Sequence, residues 1–100
     1  MTKKQELVNA QLDKIELEMK RIKYWLTDKT QGVGTFEHWL QFSFLPSARD
    51  AALKNIFPTN SQVGLMALRQ YDYHSTIEIA HPLMYLLFDF DKIIENQTTD

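Results

Sequence analysis

One hundred residues, 44% apolar and 24% charged, fit a single globular domain with one core and exclude an intrinsically disordered chain. Eleven basic against thirteen acidic residues leave the chain near neutrality, which argues against a protein whose main business is coating phosphate backbones. The absence of cysteine excludes disulfides, thiolate metal sites and a cysteine nucleophile, and no apolar run nears the roughly 18 residues of a membrane span, so a cytoplasmic protein with no membrane partner is expected.

From Thr2 to about Asp28, Val8, Leu12, Ile15, Met19, Ile22 and Leu26 recur at alternating steps of four and three. That spacing predicts a long amphipathic helix of about seven turns with an a/d stripe. The intervening positions are mostly Lys, Glu, Asp and Gln, and Glu16 with Lys20 adds an i,i+4 pair. Leu7, Leu17 and Trp25 widen one side, which favours packing within the domain. Residues 1–29 hold seven basic and five acidic groups, whereas 30–100 hold four and eight, a mild asymmetry.

Residues 27–35, with Gly32-Val33-Gly34, break the pattern and read as a loop. Thr35 then reads as an N-cap, although His38 stands where a capping box would place Glu. The stretch 36–57, FEHWLQFSFLPSARDAALKNIF, concentrates the large apolar side chains and must be buried by whatever fold forms. Pro46 interrupts it, since proline lacks the N–H and crowds the carbonyl four residues back, so one kinked helix is expected. Ala48, Ala51, Ala52, Leu53 and Ile56 continue its apolar face.

Phe57-Pro58-Thr59-Asn60 is a stop and turn, after which Ser61 caps a short helix carrying Val63, Met66 and Leu68, weakened by Gly64. Tyr71 to His74 reads as loop. The last helix starts either from a Ser75/Glu78 capping box or at Pro82. Its face is Leu83, Leu86, Leu87, Phe90, Ile93 and Ile94, with Asp89, Asp91, Lys92 and Glu95 mostly opposite, and the tail NQTTD should fray. Strand signals are weak, the best running from Thr76 to Ile79. The fold class expected is all-α: one domain over residues 1–100, an up-and-down bundle of three long helices, the second kinked at a proline, plus one short helix.

Trp39-Leu40-Gln41, Phe44-Leu45-Pro46, Phe57-Pro58, Trp25, and a closing helix with Leu86-Leu87 and Asp91 together resemble the YqcC-like family of small bacterial proteins. The likeness spans roughly residues 8–95 and rests on short motifs. It implies a compact cytoplasmic helical bundle with no established activity, and the family's frequent gene neighbour that modifies tRNA implies a link to RNA. The family pattern commonly places Arg after the proline. This chain has Ser47 there, so any role of that arginine is lost or moved to Arg49.

Glu78-Ile79-Ala80-His81 matches the Glu-x-x-His spacing of di-iron bundles, but such centres need a second copy and two more inward glutamates, while His38 has only Glu37 beside it. Glu78 as a cap and His81 as a polar residue before proline is the simpler account, and no cofactor is expected. Ser43, Ser47, Ser61 and Ser75 stand in no nucleophile-elbow context, and Gly32-Val33-Gly34 lacks the third glycine and Lys-Ser/Thr ending of a phosphate cradle. Lys20, Arg21 and Lys23, followed by aromatic rings, could meet RNA, set against an ordinary solvated helix face. Tyr24, Tyr71, Tyr73, Tyr85 and Phe88 are more aromatics than a small bundle readily buries, and exposed rings favour protein interfaces. The expected function is a non-enzymatic protein-interaction module, with Tyr24, Trp25, Trp39, Gln41 and Pro46 as candidate surface and an unknown protein or a second copy as partner. An RNA-associated accessory is the alternative and a metal-dependent enzyme the third reading. A small-molecule pocket lined by Trp39, Phe42 and Met84 carries no distinguishing signal.

Overall fold

The computed structural model describes residues 1–96, and every regular element among them is helical. Helix α1 (Lys3–Arg21) opens on a reciprocal cap: the Thr2 hydroxyl accepts the Gln5 N–H at 3.1 Å, and the Gln5 side chain accepts the Thr2 N–H at 2.6 Å. Val8, Leu12, Ile15, Met19 and Ile22 are buried, as their spacing predicts. The helix stops well short of Asp28. Lys23 takes a left-handed φ of 66°, the Tyr24 N–H reaches the Met19 carbonyl at 2.8 Å, and the Lys23 N–H reaches that of Lys20 at 3.1 Å. This is a Schellman closure with lysine where glycine is usual, so the a/d spacing gave no warning of it. Leu26 consequently leaves the stripe, and Leu7 and Leu17 face solvent rather than widening the packed side.

Helix α2 (Phe36–Trp39), a π turn (Leu40–Phe44) and helix α3 (Leu45–Lys54) form one uninterrupted helical run. Thr35 caps it as expected, accepting the His38 N–H at 3.1 Å. The Leu45 N–H bonds back to the Leu40 carbonyl, one residue further than in an α-helix. This wider turn immediately precedes Pro46, whose nitrogen has no proton to donate and whose ring needs room beside the Phe42 carbonyl. Asn55, left-handed at φ 54°, closes α3 before Ile56. Leu53 and Ile56, expected to extend the apolar face, are 78% and 71% exposed.

Helix α4 (Val63–Tyr71) includes Tyr71, which is buried at its last position rather than lying in a loop. A 3-10 turn (Glu78–Ala80) leads into helix α5 (His81–Glu95), which has Pro82 in its first turn and no side-chain cap, so the second of the two expected starts is the observed one and no strand forms at 76–79. Leu83, Leu87, Phe90 and Ile94 are buried as one face. Asp91, placed opposite by the sequence reading, is buried among them at 7% exposure. The expected fraying tail lies, beyond Asn96, outside the described residues.

Helix α1 packs against both α3 and α5, and α4 packs mainly against α5. Two glutamines of α1 stitch these joints, Gln5 Nε2 donating to the Ala52 carbonyl at 2.7 Å and Gln11 Nε2 to the Leu86 carbonyl at 2.8 Å. Both are buried, although the sequence reading grouped them with solvent-facing residues. Gln5 in fact falls on the a/d register, three residues before Val8. Arg49 of α3 reaches Asp13 at 3.0 Å and Glu16 at 3.3 Å, and the Lys20 hydrogen bond, with Arg49 behind it, draws the Glu16 carboxyl below its usual range. Where α4 meets α5, a Cβ on Gly64 would lie 2.7 Å from the Phe88 Cα, so only glycine allows this approach.

Candidate functional site

Six aromatic rings touch in succession through the molecule. The centroid steps are Tyr24 to Tyr71 at 6.0 Å, Tyr71 to Phe36 at 5.8 Å, Phe36 to Trp39 at 5.8 Å, Trp39 to Phe44 at 5.7 Å and Phe44 to Phe90 at 5.0 Å. Trp39 and Phe44 stand five residues apart, a step that a π turn returns to the same face and an α turn does not. The local widening before Pro46 thus aligns the rings. Trp39, 37% exposed, ends up as the wall shared by two clefts.

The first cleft has a volume of about 300 Å³. Trp39, Phe44, Phe57 and Phe90 give it aromatic walls, the small Ala48 and Ala51 make room for it, and Ser43, Ser47 and Ser61 are its hydroxyls. No titratable side chain lines it, so it can hold an apolar group and offers no general acid or base. Ser61 is committed elsewhere: its hydroxyl donates to Asp91 Oδ1 at 2.5 Å. Asp91 also accepts the Val63 N–H at 3.1 Å and the Gly64 N–H at 2.7 Å, capping α4 from the neighbouring helix in place of the expected Ser61 cap. Burial pushes the Asp91 carboxyl above its usual range, against the pull of these donors and with a smaller push from Glu95.

Of the five candidate surface residues, Trp39 alone lines this cleft. Tyr24 is half-buried against Tyr71, and Trp25 is half-buried with Lys20 Nζ 5.0 Å from its ring centre. Gln41 is 8% exposed, and its amide group exchanges two hydrogen bonds with the Leu26 backbone, at 2.7 and 2.9 Å, which leaves it no free face for a partner. Pro46 is exposed outside the cleft lining. Phe42 and Met84, grouped with Trp39 as a small-molecule pocket, do not line the cleft either.

The basic cluster is largely spent within its own helix. Lys20 pairs with Glu16 at 2.8 Å, Arg21 grips Glu18 with two hydrogen bonds of 2.9 and 2.6 Å, and Lys23 is exposed at the left-handed position. Arg49 is spent in the same way, tying α3 to α1 through Asp13 and Glu16. Glu78 is exposed, and His81 Nε2 lies 3.7 Å from Asp72 Oδ1; among the described residues no three or more His, Asp or Glu side chains gather as metal ligands. Sequence reasoning missed Ala48, Ala51, Phe57 and Ser61 as cleft residues. The readable signal was small residues on one helix facing a surplus of rings elsewhere. Comparison with protein-family models, with curated proteins and with solved structures found no match.

Proposed function

We propose that this protein is a non-enzymatic interaction module whose first cleft takes an apolar side chain of a partner protein. The observation that carries this reading is an apolar cleft of about 300 Å³ with only hydroxyls as polar groups, walled by a partly exposed tryptophan. Exposed Ile56, next in sequence to the lining residue Phe57, adds apolar surface beside the cleft and favours a protein over a small molecule. The proposal includes the finer architecture, an up-and-down bundle of three long helices and a short one in which a bend at Pro46 opens the cleft, and kinship with the YqcC-like family. The ion pairs of Lys20 and Arg21 speak against RNA as the main partner.

The test is photo-crosslinking in cells with benzoylphenylalanine in place of Ser47, an exposed residue of the cleft rim. A discrete protein adduct is expected from Ser47 and not from exposed Tyr85, which lies outside the lining. An adduct of twice the chain mass would identify a second copy as the partner. No adduct, or the same adduct from both positions, would overturn the proposal.

A further inference from the structure

The second cleft lies across Trp39 from the first, is open to solvent, and is bordered by Phe36, Glu37, Met66 and Gln70. Glu37 is the one titratable side chain in its lining. Its Oε2 accepts the Tyr71 hydroxyl at 2.5 Å, and none of the ion pairs among the described residues involves it. Burial first, and the Glu37 charge after it, hold the Tyr71 and Tyr24 phenols above their usual range, so Tyr71 remains a fixed donor. One carboxylate oxygen is thereby used to anchor the fold. Among the described residues, no group donates a hydrogen bond to the other.

Phe36 and Trp39, their rings 5.8 Å apart and inclined by only 21°, line the same cleft as that carboxylate. An anionic ligand would be repelled here, and an apolar one would cover the carboxylate without pairing it. A planar cation meets both features, stacking on ring surface while its N–H fork reaches the carboxylate. Because Trp39 is common to both clefts, a group bound in one is next to a group bound in the other. We propose that the second cleft receives the guanidinium of an arginine in the same partner segment whose apolar residue fills the first, an inference that rests on the protein-docking reading above.

The test uses isolated protein, labelled for NMR, titrated with N-acetyl-arginine amide and with N-acetyl-citrulline amide, a near-isostere without the charge. The Trp39 indole and Gln70 amide signals should shift saturably with the arginine derivative, and at least threefold more weakly with citrulline. Glu37→Gln, which keeps an acceptor for the Tyr71 hydroxyl, should reduce the arginine response to the citrulline level. No saturable arginine response up to tens of millimolar, equal response to both probes, or an undiminished response in Glu37→Gln would each overturn the proposal. A Ser47 adduct that persists while the arginine response fails removes this cleft's role alone. Loss of the adduct removes the docking reading, and the probe comparison still reports on the cleft by itself.

Discussion

At the scale of single residues, Asp91 does the least expected work. Its side chain leaves α5 to satisfy two backbone N–H groups at the start of α4 and the Ser61 hydroxyl, so removal strands three donors at once. Asp91→Ala should cost about 2–3 kcal/mol in urea unfolding, the range of a lost cap plus buried groups left unpaired. The pH dependence has a definite sign. Burial raises the carboxyl above its unfolded value of about 3.9, so the folded protein binds that proton more readily than the unfolded chain does. The stability contributed by this group is then fullest below the unfolded value and is lost as pH rises through the folded one. Thermal melts should show wild type gaining on Asp91→Asn as pH falls from neutrality through that window. A gap that narrows on acidification would mean that the three donors outweigh burial.

At the scale of elements, the helices were legible and their C-terminal ends were not. The stripe from Val8 to Ile22 and the α5 face follow from side-chain spacing, because packing onto a core imposes the helical period on the sequence, and the Thr35 cap follows from its hydroxyl at the helix start. Helix ends depend on one residue's φ, and here lysine and asparagine hold left-handed positions usually marked by glycine. The same blindness hid the buried glutamines and Asp91: polar residues were assigned to solvent, whereas Gln5, Gln11 and Gln41 are inside because their amides bond backbone groups of Ala52, Leu86 and Leu26. Lys23 permits a direct check. Its left-handed backbone carries a steric cost of about 1 kcal/mol that glycine would not, partly offset by glycine's larger entropy in the unfolded chain. Lys23→Gly should therefore stabilise the protein by about 0.5 kcal/mol, read as an upward shift of the urea midpoint with unchanged slope. Destabilisation would show that α1 is not closed by this motif.

At the scale of the whole molecule, the all-α class was readable from composition and period, while the clefts were not, since they arise where distant segments meet: Val8, Trp39, Phe57 and Phe90 come from four parts of the chain. The same convergence governs stability. Helix α1 joins α3 to α5, and α5 in turn holds α4, so each helix depends on a neighbour for its apolar cover. A domain of this size has about 5–15 kcal/mol of total stability, and a fully buried leucine cut to alanine costs about 2–5 kcal/mol. Leu12→Ala, at a position with no solvent exposure, should lower the urea midpoint sharply, whereas Leu53→Ala on α3, almost fully exposed, should stay within about 0.5 kcal/mol of wild type. Circular dichroism reports all the helices, and fluorescence reports Trp25 and Trp39, both outside α1. If α1 is the shared support, the two signals should fall together in Leu12→Ala as in wild type. Two separated transitions would show that α4 and α5 hold their structure without it.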